Sequence, residues 1–203
     1  MADCCGGECS LDARQARQRA TLRIVLFINA AMFAVMVVAA LYGDTTALLA
    51  DSLDNLGDAL TYALSLYAVT RGPAVKAKVA LFKGGLILLA ALVVAAQLVY
   101  RLRVPGQPMF EVMGLFSLLG LLANGLCLFL LWRHRFEDIN MSSVWECSRN
   151  DIASNISVFL AAGGVWLTGA AWPDRVVAAG LLLLLLGSAL RVIRSALAEQ
   201  RAY

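Results

Sequence analysis

Ala50-Asp51-Ser52-Leu53-Asp54-Asn55-Leu56-Gly57-Asp58-Ala59-Leu60 sets three carboxylates in an otherwise apolar stretch. Asp51, Asp54 and Asp58 stand at i, i+3 and i+7, so a helix gathers them on one face. The flanking residues from 46 to 70 are apolar enough to make this a membrane helix. An ionisable group in a bilayer costs several kcal/mol on most scales and marks a functional site. Three on one stripe call for a cation or a reaction.

The rest of the chain sets the solvent. Of its 203 residues, 61% are hydrophobic, a composition that excludes an ordinary soluble domain. About 20 apolar residues cross a bilayer. Six segments qualify, at about 23–42, 46–70, 79–101, 110–132, 141–169 and 174–195. The expected fold is therefore an all-α integral membrane protein with six transmembrane helices. A polar tail over residues 1–20 precedes a membrane domain over 21–198, with no C-terminal soluble domain expected. The first twenty residues are too polar for a cleavable signal peptide.

Basic residues set the orientation. Twelve arginines and lysines fall at the end that carries the termini: Arg14, Arg17, Arg19 and Arg23, then Arg71, Lys76 and Lys78, then Arg133 and Arg135, then Arg191, Arg194 and Arg201. Only Arg101, Arg103 and Arg175 fall at the other end. The positive-inside rule places both termini in the cytoplasm. The expected location is the plasma membrane, the inner membrane of a bacterium. The net charge of +3 is then topology, and no aromatic-interleaved basic patch points to nucleic acid.

A second polar stretch lies in the fifth segment, Trp145-Glu146-Cys147-Ser148-Arg149-Asn150-Asp151-Ile152-Ala153-Ser154-Asn155. Cys147, Asp151 and Asn155 are at i, i+4 and i+8, again one face. Asp54 and Asp58 with Cys147 and Asp151 supply four ligands, and oxygen with thiolate suits a divalent ion of the zinc group. Uncompensated carboxylates in low dielectric take up protons, and an arriving metal displaces them. Such a pair of states makes a metal/proton antiporter. Asp51 and Asn155 extend the same two stripes and are expected to serve the path as auxiliaries. The alternative for Cys147 is packing against the second helix.

Other polar groups read more plainly. Cys4, Cys5 and Cys9 cluster near the N-terminus, where thiols capture soft metals or do little. Asn29, Asn124 and Cys127 suit helix packing. Lys83 either snorkels to the surface or pairs with another helix. His134 stands in a loop with Glu137 and Asp138. The six leucines from Leu181 to Leu186, with no central polar group, predict a last helix facing lipid or a partner subunit.

Leu49-Ala50-Asp51-Ser52-Leu53-Asp54-Asn55-Leu56-Gly57-Asp58-Ala59-Leu60 resembles the second helix of the cation diffusion facilitators, which carry [His/Asp]-x-x-x-Asp there, often with an Asp three residues earlier. Cys147, Asp151 and Asn155 fall on the His-x-x-x-Asp spacing of that family's fifth helix. The resemblance covers the six-helix region. It implies efflux of Zn²⁺ or a similar divalent metal against protons, usually by a homodimer in lipid, with no resident cofactor and no catalytic residue. Cys147 in place of His favours softer ions such as Cd²⁺. The family's cytoplasmic metal-binding domain has no counterpart in this sequence.

Two other readings compete. One is a metal-binding membrane protein that senses or assists without transport. The other is a Mg²⁺-dependent prenyltransferase-like enzyme, since Asp-x-x-Asp-x-x-x-Asp also resembles a diphosphate-binding motif. The enzyme reading lacks a second acidic motif, because the fifth helix offers Asp151 with Glu146 out of phase.

Overall fold

Leucine, alanine and valine are abundant in most segments, and proline or glycine punctuates most connections, so the chain breaks into helices joined by short turns. The computed structural model describes residues 4–68, 73–104, 106–133 and 139–201, with most side chains given from residue 16 onward. Within these there are six helices in order: α1 (Cys4–Tyr42), α2 (Thr46–Ala68), α3 (Pro73–Arg103), α4 (Phe110–Trp132), α5 (Ile139–Thr168) and α6 (Trp172–Arg201). No strand occurs among the described residues.

Five of the six are long and apolar enough to cross a membrane, namely the parts of α1, α3, α4, α5 and α6 within Ala16–Tyr42, Gly84–Arg103, Phe110–Trp132, Ser148–Thr168 and Trp172–Arg194. The exception, α2, carries Asp51, Asp54 and Asp58. Its place in the bundle offsets its polarity, because α2 packs against all five other helices. The outward surface is apolar, with Phe27, Leu41, Leu92, Leu122, Phe129, Leu160 and Leu183 exposed. Such a belt matches a hydrocarbon surround.

Ahead of its apolar part, α1 is already helical from Cys4. Leu11-Asp12-Ala13-Arg14-Gln15-Ala16-Arg17-Gln18 is rich in strong helix formers, which extends the helix beyond its apolar part. One expectation needs correction: the last helix was expected to face lipid or a partner. Instead α6 is two-sided: Leu183 and Leu184 point outward, while Ala178, Leu181, Leu185 and Ala189 are buried in the main core. Spacing decides this, since positions 178, 181, 185 and 189 form one helical stripe. Gly84 permits the close approach of α3 to α6, where a Cβ would lie 2.6 Å from Ile193 Cγ1.

The three turns at the end opposite the termini are tied together. Met109 N–H donates to Gly43 O at 2.8 Å, Arg101 pairs with Asp44, and Gln107 Nε2 donates to Gly169 O at 3.2 Å. Asp44 itself has φ +56°, the left-handed conformation that Asp tolerates in a tight turn. The N-terminus of α2 is capped from α6. Asp174 Oδ1 accepts from Thr45 Oγ1 at 2.5 Å and Ala47 N at 3.0 Å, and Oδ2 accepts from Thr46 N at 3.0 Å. A carboxylate there meets both the free N–H groups and the positive end of the helix dipole.

Candidate cation site between α2 and α5

Asp58 and Asp151 meet where α2 and α5 pack. Both are buried, and their carboxyl groups are close enough to interact directly. Asp54 and Asp51 lie within electrostatic reach of Asp151. Tyr62 Oη donates to Asp58 Oδ2 at 2.9 Å and lies 3.4 Å from Ser148 Oγ on α5. One hydroxyl thus spans the two helices a turn nearer the termini than the carboxyl pair.

A cavity of about 390 Å³ opens beside the pair. Its walls are Asp54, Asp58, Asn150, Asp151, Ser154 and Ser157, closed on the α6 side by Leu181, Leu184, Ser188 and Arg191. Along α5 and α6 it runs toward the end that carries the termini, from Ser157 and Leu181 to Asn150 and Arg191. A smaller space of about 50 Å³ lies against Asp54, Gly57, Asp58, Thr61 and Ser188. Below the pair, on the α1–α4 side, Leu22, Val25, Tyr62, Cys127 and Leu131 form a buried apolar cluster. Access to the carboxyl pair is therefore from the α5–α6 side.

The expected stripe on α2 divides. At about 100° per residue, Asp54 sits at one edge, Asp58 and Asp51 near the centre, and Asn55 at the other edge. Asp54 and Asp58 line the cavity. Asp51 is buried and turned into the closed interior, with Oδ2 lacking a hydrogen-bond partner. On α5, Asp151 and Ser154 line the cavity while Asn155 is fully buried.

Of the four expected ligands, Asp54, Asp58 and Asp151 come together around one cavity. The side chain of Cys147 lies outside the described residues, as do those of Lys83 and of Cys4, Cys5 and Cys9; His134, Glu137 and Asp138 also lie outside them. Among the described residues no three His, Cys, Asp or Glu side chains close on a common point as a finished metal cage. Asn29 Nδ2 donates to Val25 O at 3.0 Å and lies 3.8 Å from Cys127 Sγ, joining α1 to α4.

Several contributors were not singled out from sequence. Ser154 and Ser188 line the cavity, and Asp174 fixes the far end of α2. Asn55 accompanies Asp51 one turn on. A signal for it was present: Asp51-Ser52-Leu53-Asp54-Asn55 and Asp151-Ile152-Ala153-Ser154-Asn155 share Asp-x-x-[Asp/Ser]-Asn.

A multi-helix membrane protein with a buried carboxylate pair reached by a polar cavity belongs to the class that handles cations within the membrane. The family model for the cation efflux transmembrane domain matches residues 22–199, and the chain belongs to this family, the cation diffusion facilitators. Members move metal cations out across a membrane as transporters rather than enzymes. No curated protein shows significant similarity to the chain.

Proposed function

We propose that this protein exports a divalent transition metal, Zn²⁺ or a softer ion such as Cd²⁺, in exchange for protons. The observation that carries this reading is the buried Asp58–Asp151 carboxyl pair at the wall of a cavity that Asp54 also lines. Two carboxyl groups in such contact hold a proton in the empty site. A divalent ion entering from the cavity takes the place of that proton, with Asp54 as a further oxygen ligand and Cys147 as the thiolate. Tyr62 holds Asp58 in position through its 2.9 Å hydrogen bond. Asp51, deeper in the interior, passes the ion or a proton onward.

In this reading α2 is the sixth membrane span, both termini are cytoplasmic as the basic residues predict, and the cavity faces the cytoplasm. The chain acts in the plasma membrane as a homodimer, and the N-terminal cysteines concentrate metal near the inner mouth.

Zinc flux into proteoliposomes under an imposed pH gradient tests the reading. Asp58→Ala and Asp151→Ala each lower flux by about 100-fold or more while inserting normally. Wild-type flux in both variants would sink the assignment. Prenyl transfer by the purified protein would favour the enzyme instead.

A further inference from the structure

The cavity accounts for one side of the α2–α5 contact. The other side, toward α1 and α4, holds polar atoms that the carboxyl pair does not use. Asn55 is 3% exposed and Asn155 is 0% exposed. Each spends its amide nitrogen locally: Asn55 Nδ2 donates to Asp51 O at 3.0 Å, and Asn155 Nδ2 donates to Asp151 O at 2.8 Å. These matched bonds orient both side chains the same way relative to their own helices. Each leaves its Oδ1 buried without a donor. Asp51, 1% exposed, leaves Oδ2 in the same condition.

Met36 of α1 lies beside this region. Its Sδ accepts a weak hydrogen bond from Asn55 Nδ2 at 3.6 Å. Met36 Cε lies 3.2 Å from the position a Cβ would take on Gly120 of α4, and that same Cβ would collide with Asn155 Oδ1. Gly120 thus leaves the space that Asn155 Oδ1 and Met36 Cε both border. Four helices contribute to this point, and none supplies an N–H or O–H to the amide oxygens. A buried acceptor without a donor is costly, and few survive in a folded protein without a bound group to satisfy them.

We propose that Asn55 and Asn155, with Met36 and the charge of Asp51, form a second cation station on the far side of the carboxyl pair from the cavity. It takes a dehydrated divalent ion of the borderline-to-soft class. Amide oxygens replace water around the ion, the Met36 sulfur favours Cd²⁺ or Zn²⁺ over Mn²⁺, and Asp51 supplies the charge. This rests on the transport reading above, because the station receives its ion from the Asp58–Asp151 pair. The like pattern on α2 and α5 sets Asp54 and Ser154 toward the cavity and Asn55 and Asn155 toward the station. An ion crossing between the two helices therefore exchanges one ligand set for the other.

The test is equilibrium binding of Cd²⁺ alone to the purified full chain, with Cys4, Cys5 and Cys9 changed to Ser to remove tail binding. Two Cd²⁺ per chain are expected. Asn55→Leu combined with Asn155→Leu lowers this to one. Met36→Leu weakens the second Cd²⁺ about tenfold and leaves Mn²⁺ binding unchanged. Asn155→Asp, which keeps the size and the oxygen, retains two ions and tightens the second. One Cd²⁺ in the parent, or two in the double Leu variant, would mean that the amide oxygens hold only water and would overturn the proposal. If the double Leu variant fails to fold, weaker second binding in Asn155→Asp overturns it equally. If Asp58→Asn combined with Asp151→Asn leaves both ions bound while the double Leu variant loses one, the carboxyl-pair reading fails and the station stands.

Discussion

Two buried aspartates, both facing α2, sit in opposite conditions. Asp174 in the first turn of α6 is 2% exposed and has both oxygens hydrogen-bonded, to Thr45 Oγ1, Thr46 N and Ala47 N. Asp151 of α5 is buried to a similar degree, yet its Oδ2 has no partner and its carboxyl faces another carboxyl. Burial alone does not separate a structural carboxylate from one that binds a moving ion. Satisfaction does: a capped carboxylate has no valence to offer, and an orphaned one does.

Replacing each by alanine breaks this comparison most sharply. Asp174→Ala removes three hydrogen bonds and leaves Thr45 Oγ1, which accepts from Leu48 N, as the remaining side-chain cap of α2, so it lowers unfolding stability by about 2 kcal/mol. Metal flux per folded molecule changes little. Asp151→Ala does the reverse, abolishing flux while leaving stability within about 0.5 kcal/mol of wild type. Thermal unfolding in detergent alongside proteoliposome flux reads both. Equal stability losses in the two variants would erase the distinction.

A smaller effect sharpens it. Tyr62→Phe removes the donor to Asp58 and the bridge toward Ser148. The loss is about 1 kcal/mol, or about five-fold in apparent metal affinity. Unaltered affinity would show that Asp58 is held without the hydroxyl.

The sequence reading and the structure part company along physical lines. The helix α4, Phe110–Trp132, is an apolar run that ends at charged residues, the plainest kind of signal a membrane helix gives. Asp54, Asp58 and Asp151 were legible as a group because helical spacing puts polar residues of an apolar helix on one face, and polar faces turn toward each other. Asp174 was not legible, since its partners lie 127 to 129 residues away and only the packing of α6 on α2 brings them together. The inner face of α6 was hidden for a different reason. A run of leucines has no polar side to betray its orientation, so only the neighbours decide that Leu181 and Leu185 turn inward. The part of α1 before residue 20 carries no hydropathy signal, because Ala, Gln, Arg and Leu form helix without one.

The central claim is that the Asp58–Asp151 pair exchanges a proton for a metal ion. Its most direct test counts protons released per Zn²⁺ bound to the purified protein, in weakly buffered solution with a pH indicator. Wild-type protein is expected to release at least one proton per ion, and Asp151→Asn to bind Zn²⁺ more weakly and release fewer. Full Zn²⁺ binding by the wild type with no proton release, or the same release from Asp151→Asn, would contradict the exchange.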